Sequence, residues 1–227
     1  MKNQETIDGI TDALPIVLGY LPLGFAFGVL AVEAGMTVTQ ATVMSILCFT
    51  GAGQYVGIGV MQAGGAVLTA IIANLLINLR YFLFSTSLVP HLKVIPTKIA
   101  AFLSYGLTDE TYAVAINRYQ SKSASAYYMA GLNLTSHMGW IGSTLLGAVL
   151  GNLITNTDKF GLGFALPAMY ICLLVLLVSK RNEAVVAAIA AVLCLVIGHL
   201  YPPSMANLSN IIIATLIAAT IGVMLRD

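Results

Sequence analysis

Eight apolar runs dominate the pattern of hydrophobic and polar positions along the chain. A helix needs about 20 apolar residues to cross the hydrocarbon core of a bilayer, and short stretches with proline, glycine and charge separate the runs. The pattern therefore predicts an all-α integral membrane protein, a bundle of seven or eight transmembrane helices. The runs are 13–33, 40–61, 65–89, 98–117, 124–154, 161–178, 184–200 and 207–225.

Two of the runs carry features that disturb a simple helix. The second contains Gly51, Gly53, Gly57 and Gly59, and glycines this dense weaken a helix. The fifth, at 124–154, is longer than one upright span requires. We therefore expect broken helices in segments two and five. Close packing through Gly53 and Gly57, four residues apart, is the alternative interpretation of the glycines. No internal repeat is evident.

The composition supports the membrane class and excludes others. Of the 227 residues, 59% are hydrophobic and only 8% are charged, against about 25% charged in soluble proteins. We expect a cytoplasmic N-terminal arm at 1–12 and a single transmembrane domain at 13–227. There is no catalytic motif and no basic patch for nucleic acid, and Cys48, Cys172 and Cys194 lack metal-ligand spacing. We predict neither an enzyme nor a cofactor or metal site.

Lysine and arginine residues in the short connections indicate the orientation, because cytoplasmic loops carry an excess of both. With eight spans and a cytoplasmic N-terminus, more of these residues lie inside than outside. The excess predicts that both termini lie in the cytoplasm. The inner set is Lys2, Arg118, Lys122, Lys180, Arg181 and Arg226, and the outer set is Lys93, Lys98 and Lys159.

Charged residues inside the apolar runs are candidates for function, because a charge at mid-membrane is costly and normally pairs. Arg80 lies in the third run, and Asp109 and Glu110 lie in the fourth. Antiparallel neighbours would place Arg80 and Asp109 within about one helical turn in depth. We predict that Arg80 pairs with one acid, and that the other exchanges a proton or binds an ammonium group. An ion pair that only fixes the packing is the alternative.

Further polar side chains extend this candidate site. Unwound backbone near the glycines presents N–H groups to a carboxylate, and a histidine titrates near neutrality and can relay protons. A histidine satisfied by a neighbouring helix is the alternative in the fifth run. The predicted substrate-binding residues are Gly51, Gly53, Gln54, Asn78, Arg80, Asp109, Glu110 and Asn133, and the predicted proton-coupling residues are Glu110, Asp109 and His137.

Four stretches, in order, resemble successive signatures of the AzlC family. They read GAGQYVGIG at 51–59, NLRY to LVPHL at 78–92, LTDETY at 107–112 and FALPAM at 164–169. The resemblance runs over most of the chain. It implies the large subunit of a branched-chain amino acid exporter in a bacterial cytoplasmic membrane. It also implies leucine, isoleucine, valine and often methionine as substrates, and a small membrane protein of the AzlD type as partner.

The candidate site residues are consistent with transport of an amino acid. An amino acid zwitterion needs a base or N–H groups for its carboxylate and an acid for its ammonium, and the candidate residues include both. The leading hypothesis is a secondary transporter driven by an ion gradient, in which Asp109 pairs with Arg80 and Glu110 titrates. A channel-like passive pore for small solutes needs no titrating carboxyl. In a third hypothesis, a membrane scaffold subunit of a transport complex, the polar residues around Arg80 serve only for packing.

Overall fold

The computed structural model describes residues 2–151, 161, 164, 167–168, 171, 174–175, 178, 181–206 and 209–224. These residues are helical wherever they are regular, with no strand among them. They fall into two compact units, 1–166 and 167–227, so a single transmembrane domain stays a prediction. Most of the predicted segment at 161–178, with Cys172, and the residues Lys159, Lys180 and Arg226 lie outside the described part of the chain.

Helices of very different lengths make up both units. By length and composition, three of the described helices can cross a membrane, namely α1, α4 and α8; α7 is as long as α4, at 26 residues. The count of seven or eight spans is not confirmed. The first unit contains α1 (Lys2–Glu33), α2 (Val38–Leu47), α3 (Gly51–Gln62), α4 (Val67–Leu92), α5 (Thr97–Ser104), α6 (Asp109–Ser121) and α7 (Ala126–Gly151), and the second contains α8 (Arg181–Leu200), α9 (Pro203–Ala206) and α10 (Ser209–Met224).

Helices α1 and α7 run side by side in the same direction and form the centre of the first unit. Gly9 of α1 faces the first turns of α7, and Gly28 faces its later turns. A Cβ at either position would overlap a backbone carbonyl oxygen of α7, so only glycine permits this approach. We call the end where both helices begin the Arg118 end, since Arg118 contacts Glu5 there, and the opposite end the Glu33 end.

Helices α2 and α3 form an antiparallel hairpin. Gln54 Nε2 of α3 donates to Ser45 Oγ of α2 at 2.9 Å, and further from the connection a Cβ on Gly57 would meet Met44 at 3.2 Å. The chain enters α2 at the Glu33 end, turns at 48–50 and returns in α3 to the same end. We call α2, α3 and this tip the first hairpin.

Helix α6 runs in the same direction as α4. At its start, Asp109 Oδ2 lies 3.0 Å from Arg80 Nη1 of α4. One turn later, Tyr112 OH donates to Ser87 Oγ at 3.0 Å. Because the residue numbers rise together, the two helices are parallel, and both finish at the Arg118 end.

Helix α5 doubles back between them. Only residues 93–96 link α4 to α5, so α5 begins at the end where α4 finishes. Ala100 of α5 and Leu88 of α4 line one cavity, which places α5 alongside the last turns of α4. Residues 105–108 leave the helix, and α6 returns to the Arg118 end. We call α5, α6 and this tip the second hairpin.

Capping boxes begin two of the four hairpin helices. Thr37 Oγ1 accepts from the Gln40 backbone N–H at 3.2 Å, and the Gln40 side chain accepts from the Thr37 N–H at 2.8 Å. Thr108 and Thr111 repeat this reciprocal pair at the start of α6. The start of α3 differs, because Thr50 makes no side-chain cap. The start of α5, at Pro96, also has no side-chain cap. One helix start in each hairpin is therefore fixed by a capping box, and the other is not.

The first unit has an inverted internal arrangement. Helix α1 runs from the Arg118 end to the Glu33 end and is followed by a hairpin that enters from the Glu33 end. Helix α4 runs the opposite way and is followed by a hairpin that enters from the Arg118 end. Crossing helix and hairpin thus recur in the same order with reversed direction, which is the inverted-topology repeat of many transporters. The sequence shows no trace of it.

The structure tests the two helix breaks that were predicted in the second and fifth runs. A break in the second run is confirmed, but at 48–50, just before the glycines, and the run does not cross. A break in the fifth run is wrong, because α7 is one continuous helix. The break lies instead in the fourth run, at 105–108, and this run is also a hairpin.

The hairpins also change the charge distribution. Lys93 and Lys98 were predicted on the outer side, but the second hairpin places them at the Arg118 end. Apart from Arg80, every described lysine and arginine of the first unit then lies at this end. They are Lys2, Lys93, Lys98, Arg118 and Lys122.

The second unit is an antiparallel helix pair, α8 and α10, joined through α9. Asn210 Nδ2 lies 3.5 Å from the Cys194 carbonyl oxygen. Near the other end of the pair, a Cβ on Gly222 would meet Val186 at 3.2 Å. The small and polar residues here let two apolar helices approach closely.

The hairpin topology predicts which connections share a side of the membrane. We expect single cysteines at Lys93 and Ser123 to react with an impermeant maleimide from one side, and a cysteine at Ala63 from the other. The background lacks the three native cysteines, and sealed vesicles of both orientations provide the measurement. Straight crossings would instead put positions 63 and 123 on one side and position 93 on the other.

Candidate functional site

The tips of the two hairpins meet at mid-depth in the first unit. Tyr105 OH, at the second tip, donates to the Ile46 carbonyl oxygen next to the first tip. The His137 ring of α7 stacks on Phe49 of the first tip, with centroids 4.2 Å apart, and meets the Tyr105 ring edge-on at 5.8 Å. Each tip therefore supports the other, and α7 supports both.

An ion pair marks the second tip. Arg80 Nη1 and Asp109 Oδ2 are 3.0 Å apart, and the side chains are 24% and 12% exposed. The predicted pairing of Arg80 with one of the two acids is confirmed, although the helices involved are parallel rather than antiparallel. The pair sits where a hairpin tip meets a crossing helix, the place in such folds where irregular backbone lines a cavity.

Each member of this pair keeps unused hydrogen-bonding capacity. Arg80 Nε and Asp109 Oδ1 are buried and have no partner in the described structure. Unpaired buried polar atoms are costly and rare in folded proteins. One donor and one acceptor, side by side, match a ligand that carries both a carboxylate and an ammonium group.

The second acid has a different partner. Tyr20 OH of α1 donates to Glu110 Oε2 at 2.8 Å and lies 2.8 Å from Thr108 Oγ1, the cap of α6. The Tyr20 ring is buried and packs edge-on against Trp140 at 5.3 Å and Phe49 at 6.1 Å. Tyr20 thus touches both tips. Its sequence signal, a tyrosine in an apolar run between Pro15 and Pro22, is too weak to single it out.

The glycine-rich start of α3 presents backbone at the first tip. Thr50 Oγ1 donates to Asn78 Oδ1 at 2.7 Å instead of capping the helix. The first N–H groups of a helix have no acceptor within it, so this start keeps donors and the positive end of the helix dipole. A Cβ on Gly53 would overlap Asn74, and one on Gly51 would meet Trp140 at 2.9 Å. Close packing is therefore part of the glycines' role.

Gln54 is placed as an anchor of the first hairpin. It is fully buried; its Nε2 donates to Ser45 at 2.9 Å, and its Oε1 accepts from Trp140 Nε1 at 2.8 Å. Ser45 in turn contacts Thr144 at 2.9 Å. Both ends of the Gln54 amide are thus engaged within the protein, and contact with a substrate would require this network to open.

Asn133 and His137 of α7 support the helix breaks. Asn133 Nδ2 donates to the Leu103 carbonyl oxygen at 2.7 Å, while its buried Oδ1 has no partner in the described structure. His137 Nε2 donates to the Ser45 carbonyl oxygen, 3.0 Å away. Both acceptors are carbonyls released where a helix ends. A substrate contact by Asn133 and a proton relay by His137 stay predictions.

A second ionic cluster, not predicted from the sequence, lies at the Arg118 end. Arg118 Nη2 of α6 contacts Glu5 at 3.1 Å and Asp8 at 2.9 Å, and its guanidinium lies 4.0 Å from the Tyr128 ring centroid. Tyr128 OH donates to Asp12 at 2.7 Å. The predicted polar arm is therefore the start of α1, tied to α6 and α7.

Comparison with known proteins covers this same part of the chain. The family described as AzlC protein matches residues 15–154. An uncharacterized membrane protein of Archaeoglobus fulgidus is 34% identical over 80% of this chain and 79% of its own length. The inner membrane protein YgaZ of Escherichia coli is 29% identical over 80% of this chain and 77% of YgaZ. The branched-chain amino acid transport protein AzlC of Bacillus subtilis is 23% identical over 71% of this chain and 63% of that protein. No solved structure is significantly similar.

Removing the cation of the ion pair should destabilise the fold. We expect Arg80→Ala to lower the free energy of unfolding by about 3 kcal/mol, because it leaves the Asp109 carboxyl buried without a counterion. The measurement is thermal unfolding of the purified protein. The double variant Arg80→Ala/Asp109→Ala removes both charges and should recover most of the loss. Equal stability of the wild type and the single variant would contradict this role of the pair.

Proposed function

Since this chain belongs to the AzlC family, we propose that it is the transport subunit of a secondary amino acid exporter in a bacterial cytoplasmic membrane. The proposed substrates are leucine, isoleucine, valine and methionine. The proposed partner is a small membrane subunit of the AzlD type. The relative named for branched-chain amino acid transport supports the substrate class.

One observation carries this proposal from the structure: the Arg80–Asp109 pair keeps a free donor and a free acceptor where the two hairpin tips meet. In the proposed complex, Arg80 Nε and the N–H groups at the start of α3 bind the substrate carboxylate. Asp109 Oδ1, with Glu110 beside it, binds the ammonium. Broken helices in transporters bind substrates in the same way, with helix starts directed at anionic groups.

The inverted arrangement favours a transporter over a passive pore. Inverted repeats alternate access to a shared central site by moving one repeat against the other. A pore would need a continuous wetted path, whereas here the first hairpin is sealed against α7 by the buried network of Gln54, Ser45, Trp140 and Thr144. A scaffold role predicts an ion pair with all of its hydrogen bonds made, and Arg80 and Asp109 leave two unmade.

We place the Arg118 end, and with it the N-terminus, in the cytoplasm. Cytoplasmic connections carry the excess of lysine and arginine, and the described connections of the first unit place theirs at this end. The proposed substrate therefore approaches from the side at which the second hairpin enters.

We propose proton antiport as the energy source, with Glu110 as the titrating group. Asp109 makes the ion pair with Arg80, whereas the described partner of Glu110 is the neutral hydroxyl of Tyr20, so we assign the proton exchange to Glu110. An arriving ammonium favours the charged carboxylate and so releases a proton. Exchange of an amino acid for an entering proton lets the proton gradient drive export. His137 is the proposed relay.

Transport itself is tested by counterflow in proteoliposomes, with and without the small subunit. We expect unlabelled leucine, isoleucine, valine or methionine inside the vesicles to drive uptake of labelled leucine, and aspartate or lysine to be inactive. The variant Asp109→Asn should reduce counterflow about tenfold or more, as expected when a charged ligand loses its counterion. Equal flux with every solute would favour a pore, and flux only from the partner would favour a scaffold.

The coupling proposal is tested by Glu110→Gln, which mimics the protonated acid. We expect this variant to exchange amino acids while losing the response of net flux to an imposed pH gradient. Tyr20→Phe is the control for the local packing and hydrogen bonding, because it removes the hydrogen bond to Glu110 but leaves the carboxyl, and it should keep the response. If Glu110→Gln responds to the gradient like the wild type, another group or sodium provides the coupling.

A further inference from the structure

A partly open cavity of about 450 Å³ lies between α4 and the α5 side of the second hairpin, with Val89 in its lining 57% exposed. Its walls are mainly aliphatic, with Leu88 and Leu92 from α4 and Leu107 from the hairpin tip. A volume in this range is typical of small-molecule sites. The aliphatic walls select for an apolar occupant, because a polar group placed there would lose its hydrogen bonds to water.

One end of the cavity lies at the tip of the second hairpin, close to the ion pair, although neither Arg80 nor Asp109 lines it. Leu107 directly precedes the cap of α6 and stands two residues before Asp109. Ser85 lines the cavity five residues after Arg80 on α4, which is about 7.5 Å along the helix axis and about 140° around it. A side chain attached to charged groups at the ion pair would therefore enter the cavity from the Leu107 end.

The other end reaches the Arg118 end of the unit. Lys93 and Thr97 line the cavity there, at the connection between α4 and α5. Lys93 supplies the one charged side chain of the lining, and it lies at the far end from Asp109. The cavity therefore extends from Lys93, along apolar walls, to Leu107 at the hairpin tip, two residues before Asp109.

Small residues on one face of α5 create this space. Ala100, Ala101 and Ser104 line the cavity, while Ile99 and Phe102, on other faces of the helix, are 45% and 80% exposed. Larger side chains at the first three positions would fill the volume. The size of the α5 side chains thus sets the size of what the cavity can hold.

We propose that this cavity receives the apolar side chain of the transported amino acid, and that Ala101 of α5 limits the size of that side chain. The inference rests on the function proposed above and adds the location of the specificity pocket. The volume leaves room beyond a single leucine side chain, so we expect broad acceptance of apolar side chains up to phenylalanine.

The test narrows the cavity and compares substrates. Counterflow of labelled alanine, valine, leucine, methionine and phenylalanine is measured for the wild type, Ala101→Leu and Ala101→Phe. We expect Ala101→Phe to reduce leucine, methionine and phenylalanine flux at least tenfold relative to alanine flux, with Ala101→Leu intermediate. Ile99→Phe places the same aromatic side chain on the exposed side of the same helix and should leave the ratios unchanged.

Two results would overturn the inference: unchanged ratios in Ala101→Phe, or the same change in ratios in Ile99→Phe. If Ala101→Phe fails to fold or loses flux for all substrates equally, labelling decides. A cysteine at position 101 should react with a maleimide, and leucine should slow the reaction more than alanine does; equal rates would overturn the inference. A wild type that moves no amino acid would instead overturn the proposed function, which separates the two failures.

Discussion

Backbone N–H and C=O groups at membrane depth must be hydrogen-bonded, and the arrangement of the first unit depends on this requirement. Two helix breaks at mid-depth release carbonyl groups that lipid cannot satisfy. His137 serves the Ser45 carbonyl, Tyr105 serves that of Ile46, and Asn133 serves that of Leu103. Two of these three donors stand on α7, so the continuous α7 supports both breaks; the Leu103 carbonyl also accepts from the Gly106 N–H at 3.2 Å.

This constraint explains why the polar stretch of the fifth run was misinterpreted. Polar side chains this dense in an apolar run indicate irregular backbone, and the prediction placed the irregularity in the same run. The structure places the irregular backbone in the second and fourth runs, and side chains of α7 donate hydrogen bonds to it. Hydropathy shows where polar side chains lie along an apolar run. It does not show which helix break their hydrogen bonds are made to.

The sequence was most informative where charges are few. Away from the ends of the apolar runs of the first unit, only Arg80, Asp109 and Glu110 are charged. The pairing of Arg80 with one of the two acids therefore followed from cost alone, even though the supposed antiparallel packing was wrong. The hairpins were out of reach, because an apolar run that crosses and one that turns back have the same hydropathy. The start of α6 was also hard to recognise, because Thr111 stands where the capping-box signature has Glu or Gln.

Helix α6 links the candidate site to the Arg118 end. Asp109 at its start pairs with Arg80 of α4, and Arg118 in its last turn pairs with the acids of α1. An acid at the first turn and a base at the last both match the helix dipole, so ion pairs at both ends hold a helix whose own charges stabilise it. A ligand that draws Asp109 away from Arg80 therefore acts on a stiff strut of 13 residues. Helix α6 ends at the Arg118 cluster without an intervening connection, so under the proposed function it is the physical route from substrate binding at Asp109 to opening at the Arg118 end.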